Sequence, residues 1–167
     1  LDLKDYASDY ETPTDDLSFA VIGNTNPNCG VTIDANDHID IAPAANWFGS
    51  SAVTVRVSDG EDTDMASFTI EVQAVNDSPW ISPIVPDQSE AYEQPITIDL
   101  TAYENDVENS GTDLDWYVTG EGYCTVSNEY SDDDILTFTP DNGFVGEDYV
   151  TLRLRDVEGA EDFQQLR

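Results

Sequence analysis

Slid along itself by 97 positions, the chain falls into register without a gap. Asp2-Leu3 meets Asp99-Leu100, Tyr6 meets Tyr103, Asp9 meets Asp106, Glu11 meets Glu108, and Asp16-Leu17 meets Asp113-Leu114. Farther along, Pro43 meets Pro140, Gly49 meets Gly146, Val53-Thr54 meets Val150-Thr151, and Arg56 meets Arg153. Asp59 and Glu61 then meet Asp156 and Glu158. The matches fall on alternating apolar runs, turn glycines and carboxylates, where chance would scatter them. A self-match at one fixed period means two copies of a single folding unit. In 167 residues there is room for two such units of ordinary domain size.

The copies are uneven at their outer ends. Leu1 is the counterpart of Ile98, so the first copy has nothing to set against "WISPIVPDQSEAYEQ". Arg167 is the counterpart of Ile70 and falls in the middle of the expected last strand. With the seam at "VNDSP", we expect domains over residues 1–77 and 78–167, the first lacking its first strand and the second its last. An open sandwich edge invites pairing with another chain. A segment of a longer tandem array and a subunit completed by its neighbours both account for this. The array fits better, because neither end carries a spare strand to donate.

The elements inside each copy read as strands. "AVTVRVSD" (residues 52–59) and its partner "YVTLRLRD" (149–156) alternate with period two. "LSFAVIG", "HIDIA", "ASFTIEVQAV", "ITIDL" and "ILTFT" are short, rich in β-branched or aromatic residues, and bounded by Gly, Asn, Asp or Pro. No stretch keeps helical spacing. Several short strands per copy, separated by turn signals, predict an all-β chain with one β-sandwich in each copy. Trp116, aligned with Phe19, is expected in the core. Trp47 is expected to order the "NWFG" corner, and Trp80 to pack over the contact between domains.

Charge narrows the partners. The chain carries 36 Asp and Glu against five Lys and Arg, a formal net charge of -31. Such a surface repels nucleic acid and anionic membranes, and no apolar run is long enough to insert into a bilayer. An excess of carboxylates in a chain with readable strands points to high-salt adaptation or to cation binding. Enzyme chemistry finds little support. His38 is the only histidine and opens the strand "HIDIA", and there is no zinc-type Cys/His cluster, phosphate loop or nucleophile turn. Cys29 and Cys124 are too few for a disulfide scaffold and stand two positions out of register.

An ordered set of motifs occurs twice: "DLKDYASDYE", "PAANWFG", "VTVRVSDGED" and "VNDSP", then "DLTAYENDVE", "PDNGFVG" and "VTLRLRDVEG". Over essentially the whole chain this resembles the cadherin-like, immunoglobulin-fold tandem repeats of prokaryotic surface proteins. The departures are the missing first strand, the missing final linker, and Gly143-Phe144 where the first copy has Asn46-Trp47. The resemblance implies two tandem Ig-like (cadherin-like) Greek-key β-sandwiches with Ca²⁺ at the joints between repeats. For the joint inside the chain it implies Asn76 and Asp77 in the hinge, Asp106 and Glu108 after a strand, and Asp156 at a strand end. The matching set Asp9, Glu11 and Asp59 would serve a preceding domain. Ca²⁺ takes six to eight oxygen ligands, which Asp, Glu, Asn and backbone carbonyls supply. Without a cation, close carboxylates repel by about 1 kcal/mol per pair at ~4 Å even in a water-like dielectric. Asn76 also opens an "NDS" glycosylation sequon, and a glycan there would compete with its use at the joint.

The function this implies is non-enzymatic, extracellular and structural: a Ca²⁺-stiffened repeat of a cell-surface adhesin or filament. Its partners would be neighbouring repeats or identical subunits assembling head-to-tail into a fibre. The alternatives are a carbohydrate- or protein-binding adhesin module, with glycans as ligands, or an accessory domain of a secreted hydrolase.

Overall fold

In a computed structural model, which describes residues 1–91 and 94–167, the chain divides into two compact units, Leu1–Val75 and Asn76–Arg167. Asn76 and Asp77 therefore lie with the second unit. Among the described residues there are strands and short 3₁₀ turns but no α-helix, as the absence of helical spacing predicts.

The first unit contains β1 (Ser18–Asn24), β2 (Val31–Ile33), β3 (Ile39–Ile41), β4 (Gly49–Ser58) and β5 (Thr63–Val72). One antiparallel sheet runs β1-β4-β5, and β2 pairs with β3. Alternation sends Val53 and Val55 of β4 inward, where they meet Leu3, Cys29, Ile39 and Ile70. Trp47 packs against this core from its corner.

The second unit contains β6 (Trp80–Ile81), β7 (Ile96–Asp99), β8 (Glu104–Asn105), β9 (Leu114–Thr119), β10 (Cys124–Ser127), β11 (Ile135–Pro140), β12 (Val150–Asp156) and β13 (Glu161–Leu166). Its sheets run β9-β12-β13, β10-β11-β7 and β6-β8, all antiparallel. The two larger sheets face one another through Trp116, Leu152 and Leu154 on one side and Ile98, Leu136 and Phe138 on the other. Trp116 is 1% exposed, the core position expected of it. Trp80 remains largely open at 44%. Cys29 is buried and Cys124 half-buried, and both are free thiols.

Pairing registers carry the duplication into three dimensions. Val57 faces Phe19 as Leu154 faces Trp116, and the Asp2–His38 bridge repeats the Asp99–Ile135 pair. The copies slip at one place. Ser58 pairs with Thr63, but its counterpart Arg155 pairs with Glu161, so the second hairpin holds one more residue. Because a one-residue shift turns every side chain to the other face, the correspondence beyond the hairpin follows the pairing. Asp64 stands where Asp162 does, Phe68 where Leu166 does, and Arg167 matches Thr69, not Ile70. The second unit does have a last strand: β13 pairs with β12 over six residues.

Candidate functional site

The expected ligands of the second unit sit where β8 and β12 end and where residues 76–77 enter the fold. β8 feeds directly into a loop opened by Asp106. One carboxylate oxygen, Oδ1, accepts the backbone N–H groups of Glu108 at 2.8 Å and Asn109 at 2.7 Å. This side-chain-to-backbone turn is what a short carboxylate favours where a strand stops. It aims Glu108 back toward the chain entry, where its Oε2 accepts the N–H of Asp77 at 2.9 Å. Nearby in the fold, Asn76 donates from Nδ2 to Asp156 Oδ2 at 2.8 Å. Asp156 Oδ1 accepts the Ala160 N–H at 2.7 Å.

Asp156 is 3% exposed. Burial works to raise its pKa, but the hydrogen bond from Asn76 and backbone N–H groups led by Ala160 outweigh it and hold the carboxyl below its usual value. It is a buried carboxylate kept ionised.

Two atoms in the loop stand apart. Asp106 Oδ2 and Asn109 Oδ1 are buried and have no hydrogen-bond partner. Both are acceptors, and an unmatched buried acceptor costs ~1–3 kcal/mol. A buried acceptor of this kind is satisfied by a hydrogen-bond donor or by a cation with hard-oxygen preference. Both are hard oxygens of the kind that Ca²⁺ takes. As they stand, the described residues contain no group of three or more His, Cys, Asp or Glu side chains closed on one point. The structure thus brings Asn76 to Asp156, and Asp77 to Glu108 beside Asp106, as two hydrogen-bonded clusters.

In the first unit Asp9 repeats the turn of its counterpart, accepting Glu11 N–H at 2.8 Å and Thr12 N–H at 2.7 Å. Asp59 likewise accepts from Glu61 and Asp62. Those N–H groups hold both carboxyls below the usual range, while the charge of Asp59 opposes this at Asp9. Thr12 occupies the place of Asn109, and Asp9 and Glu11 are exposed. No orphaned buried oxygen marks this copy among the described residues.

Asn109 is the residue that sequence reasoning missed. Thr12 at the equivalent position broke the identity, although the turn opened by Asp106 offered a signal: it points to the oxygen-bearing side chain three residues on. Two further carboxyls went unnoticed. Burial and the Asp134 charge push Glu104 up to about 7, against a hydrogen bond from Trp116 Nε1 to its Oε2 at 3.1 Å. Burial, with Asp133 and Asp99 nearby, pushes Asp134 up to about 6.

Comparison with known proteins fits this architecture. The bacterial Ig domain family matches residues 76–167, more than half of the chain. The chain belongs to that family. The cadherin-like domain family matches residues 2–73. No curated relative matches the sequence. Among solved structures, the extracellular cadherin domains 3–6 of protocadherin gamma B2 align with 90% of the chain at 15% identity and a TM-score of 0.52. The extracellular domain of protocadherin gamma B4 aligns at 14% identity and 0.51, again over 90%. The chain spans 42% and 28% of those two structures, so they speak for its fold alone. Domains 4 and 5 of the S-layer protein SbsC align at 20% identity over 91% of this chain and 70% of theirs, with a TM-score of 0.36. Cadherin-like and Ig domains are modules of adhesion and architecture and are generally not catalytic. No helix among the described residues is long and apolar enough to cross a membrane.

Proposed function

We propose that this protein is a non-enzymatic, extracellular structural module whose second unit binds Ca²⁺ through Asp106, Asn109, Glu108, Asp77, Asp156 and Asn76. The observation that carries this reading is the pair of orphaned buried oxygens, Asp106 Oδ2 and Asn109 Oδ1. A bound cation would tie the entering residues 76–77 to the loop after β8 and to the end of β12. That removes backbone freedom where one repeat runs into the next, so Ca²⁺ stiffens the chain. Asp9, Glu11 and Asp59 form the corresponding, weaker set of the first unit. Repeats stiffened in this way suit a surface adhesin or a filament built head-to-tail, because heterologous contacts propagate instead of closing.

Calorimetric titration of the metal-free protein with Ca²⁺ tests the site. Saturable binding is expected, weakened on the order of tenfold or more by Asp106→Asn and by Asn109→Ala. Equal heats from Mg²⁺, or from KCl at matched ionic strength, would reduce the acidic surface to salt adaptation. Small-angle scattering of the same samples reads the stiffening, as a larger maximum dimension with Ca²⁺ than with chelator. Electron microscopy at high protein concentration tests assembly, and dispersed particles alone would count against it.

A further inference from the structure

The sheet β9-β12-β13 carries aromatic side chains on its outer face, where strand alternation usually places polar ones. Leu152 and Leu154 point into the core, while Arg153 between them stands outside, flanked by Tyr117 on β9 and Phe163 on β13 as direct cross-strand neighbours. Tyr130 extends the row beyond β9, its ring stacked on Tyr117 with centroids 5.1 Å apart and planes 14° from parallel. The Arg153 guanidinium lies over the Phe163 ring, 5.7 Å from its centroid. With strands spaced about 4.8 Å apart, the row is about 15 Å long. Its two ends are open to solvent, Phe163 at 66% and Tyr130 at 52% exposure.

The row is held in place. The Tyr117 hydroxyl donates to Glu161 Oε1 at 2.6 Å, and Arg153 Nη1 donates to Glu161 Oε2 at 3.0 Å. Tyr130 has a φ of 57°, a left-handed backbone that a bulky residue seldom adopts. Its loop is fastened to the edge of β9, where the Tyr130 N–H donates to the Trp116 carbonyl at 2.9 Å and Glu129 Oε1 accepts the Val118 N–H at 2.6 Å. This strain builds no core; it lays an aromatic ring on an outer face. The first unit lacks the row. Arg56 repeats Arg153, but its cross-strand neighbours are Ala20 and Met65.

Charge sets the face apart as well. Of the five basic residues in a chain of net charge -31, two, Arg153 and Arg155, stand here. Arg155 is paired across the strands with Asp115 and Glu161. The Tyr117 hydroxyl, with Arg153 behind it, holds the Glu161 carboxyl below its usual value, so it stays ionised. The two positive and two negative charges cancel. On the other side of the aromatic row lie the hydroxyls of Thr119 and Thr151 and the amide of Gln165, and Arg153 Nε donates to Thr119 Oγ1 at 3.3 Å.

We propose that this face binds a neutral oligosaccharide of pyranose rings. A pyranose has an apolar C–H face, which stacks on Tyr130, Tyr117 and Phe163, and a rim of hydroxyls, which meet the polar groups on either side of the row. Rigid aromatic rings give such contact at little cost in side-chain entropy. Charge excludes other occupants: the net charge repels anionic glycans, and a cationic peptide is drawn to the carboxylates elsewhere. A second copy needs about 800 Å² per partner, whereas three strands by three rows of side chains cover on the order of 200 Å².

The test is an array of neutral oligosaccharides, α- and β-linked, of glucose, galactose, mannose, xylose and N-acetylhexosamine, with sulfated and uronic oligosaccharides as anionic arms. The full chain is applied with Ca²⁺ and in chelator, and equal binding is expected, which separates this reading from that of the Ca²⁺ site. A neutral hit is then titrated by NMR, where the ring signals of Tyr117, Tyr130 and Phe163 are expected to shift saturably. Phe163→Ala and Tyr130→Ala remove exposed rings and should each weaken binding on the order of tenfold. Met65→Ala, at the matching position of the first unit, should leave it unchanged. Silence of every neutral arm, preference for the anionic arms, or full affinity in the Phe163→Ala, Tyr130→Ala double variant would overturn the proposal. So would binding that requires Ca²⁺, which would place the sugar at a metal. Self-association in sedimentation that Phe163→Ala abolishes would give the face to a second copy instead.

Discussion

Asp134 holds its carboxyl inside the second unit at 5% exposure, on a backbone with φ of 53°. Burial, and then the charges of Asp133 and Asp99, raise its pKa from 3.8 to about 6. The folded state therefore keeps a proton that the unfolded chain releases between those values. By linkage, this group's contribution to stability falls as pH rises through that window, and the loss is complete above it. Asp134→Asn removes the charge and keeps a residue that tolerates the left-handed backbone. Its urea midpoint for the second unit is expected above that of the parent at pH 7.5, with the gap narrowing at pH 5. A variant that unfolds earlier at pH 7.5 would refute this. At the neighbouring loop, Asp106→Ala in chelator should cost the second unit about 1 kcal/mol in a urea titration, because two backbone N–H groups lose their acceptor. The carboxylates of this loop were legible in the sequence because they recur at repeat positions. Asn109 was not, because its role depends on which oxygens the fold buries.

At the scale of elements, legibility follows which face carries which chemistry. β4 and β12 are plain in the sequence because alternate valines and leucines point inward. β13 reads Glu-Asp-Phe-Gln-Gln-Leu and shows no such alternation. Its inward positions Asp162 and Gln164 are polar because they satisfy the backbone of the Pro79–Gln88 segment, and Phe163 lies outside at 66% exposure. The extra residue in the second hairpin was hidden for a related reason: an ungapped alignment runs through a turn, and only the strand pairing reveals the slip. Gly30 shows the opposite case, a single residue that fixes an element. It closes the 3₁₀ turn Pro27–Cys29 with φ of 68°, and a Cβ there would lie 1.8 Å from the Ala42 carbonyl oxygen. Gly30→Ala is expected to cost the first unit roughly 1–3 kcal/mol. Gly60 shares a positive φ of 102° but has nothing within 4 Å of a Cβ, so Gly60→Ala should cost less. Calorimetric midpoints of the two variants check the order, and an equal loss would remove the clash as cause.

Over the whole molecule, a net charge of -31 sets the terms on which any cation acts. Self-repulsion lowers the stability of a compact chain this acidic. Monovalent salt relieves it everywhere, since the Debye length shrinks to ~8 Å at 0.15 M. A site-bound ion acts differently, stabilising only the unit that holds it, by about 2.7 kcal/mol when its concentration is 100 times Kd. The two units provide an internal comparison. The second has the orphaned oxygens of Asp106 and Asn109, whereas the first has Thr12 in place of Asn109 and an exposed Asp9. Thermal unfolding in chelator should therefore respond to KCl in both units together. Ca²⁺ at matched ionic strength should raise the second transition well beyond the first. Replacing Asn109 with Ala should cut that extra rise to about half or less while leaving the response to KCl intact, because the surface charge is unchanged. If Ca²⁺ moved both transitions equally, or if Asn109→Ala kept the full rise, the cation would be acting on the acidic surface at large and not at the loop after β8.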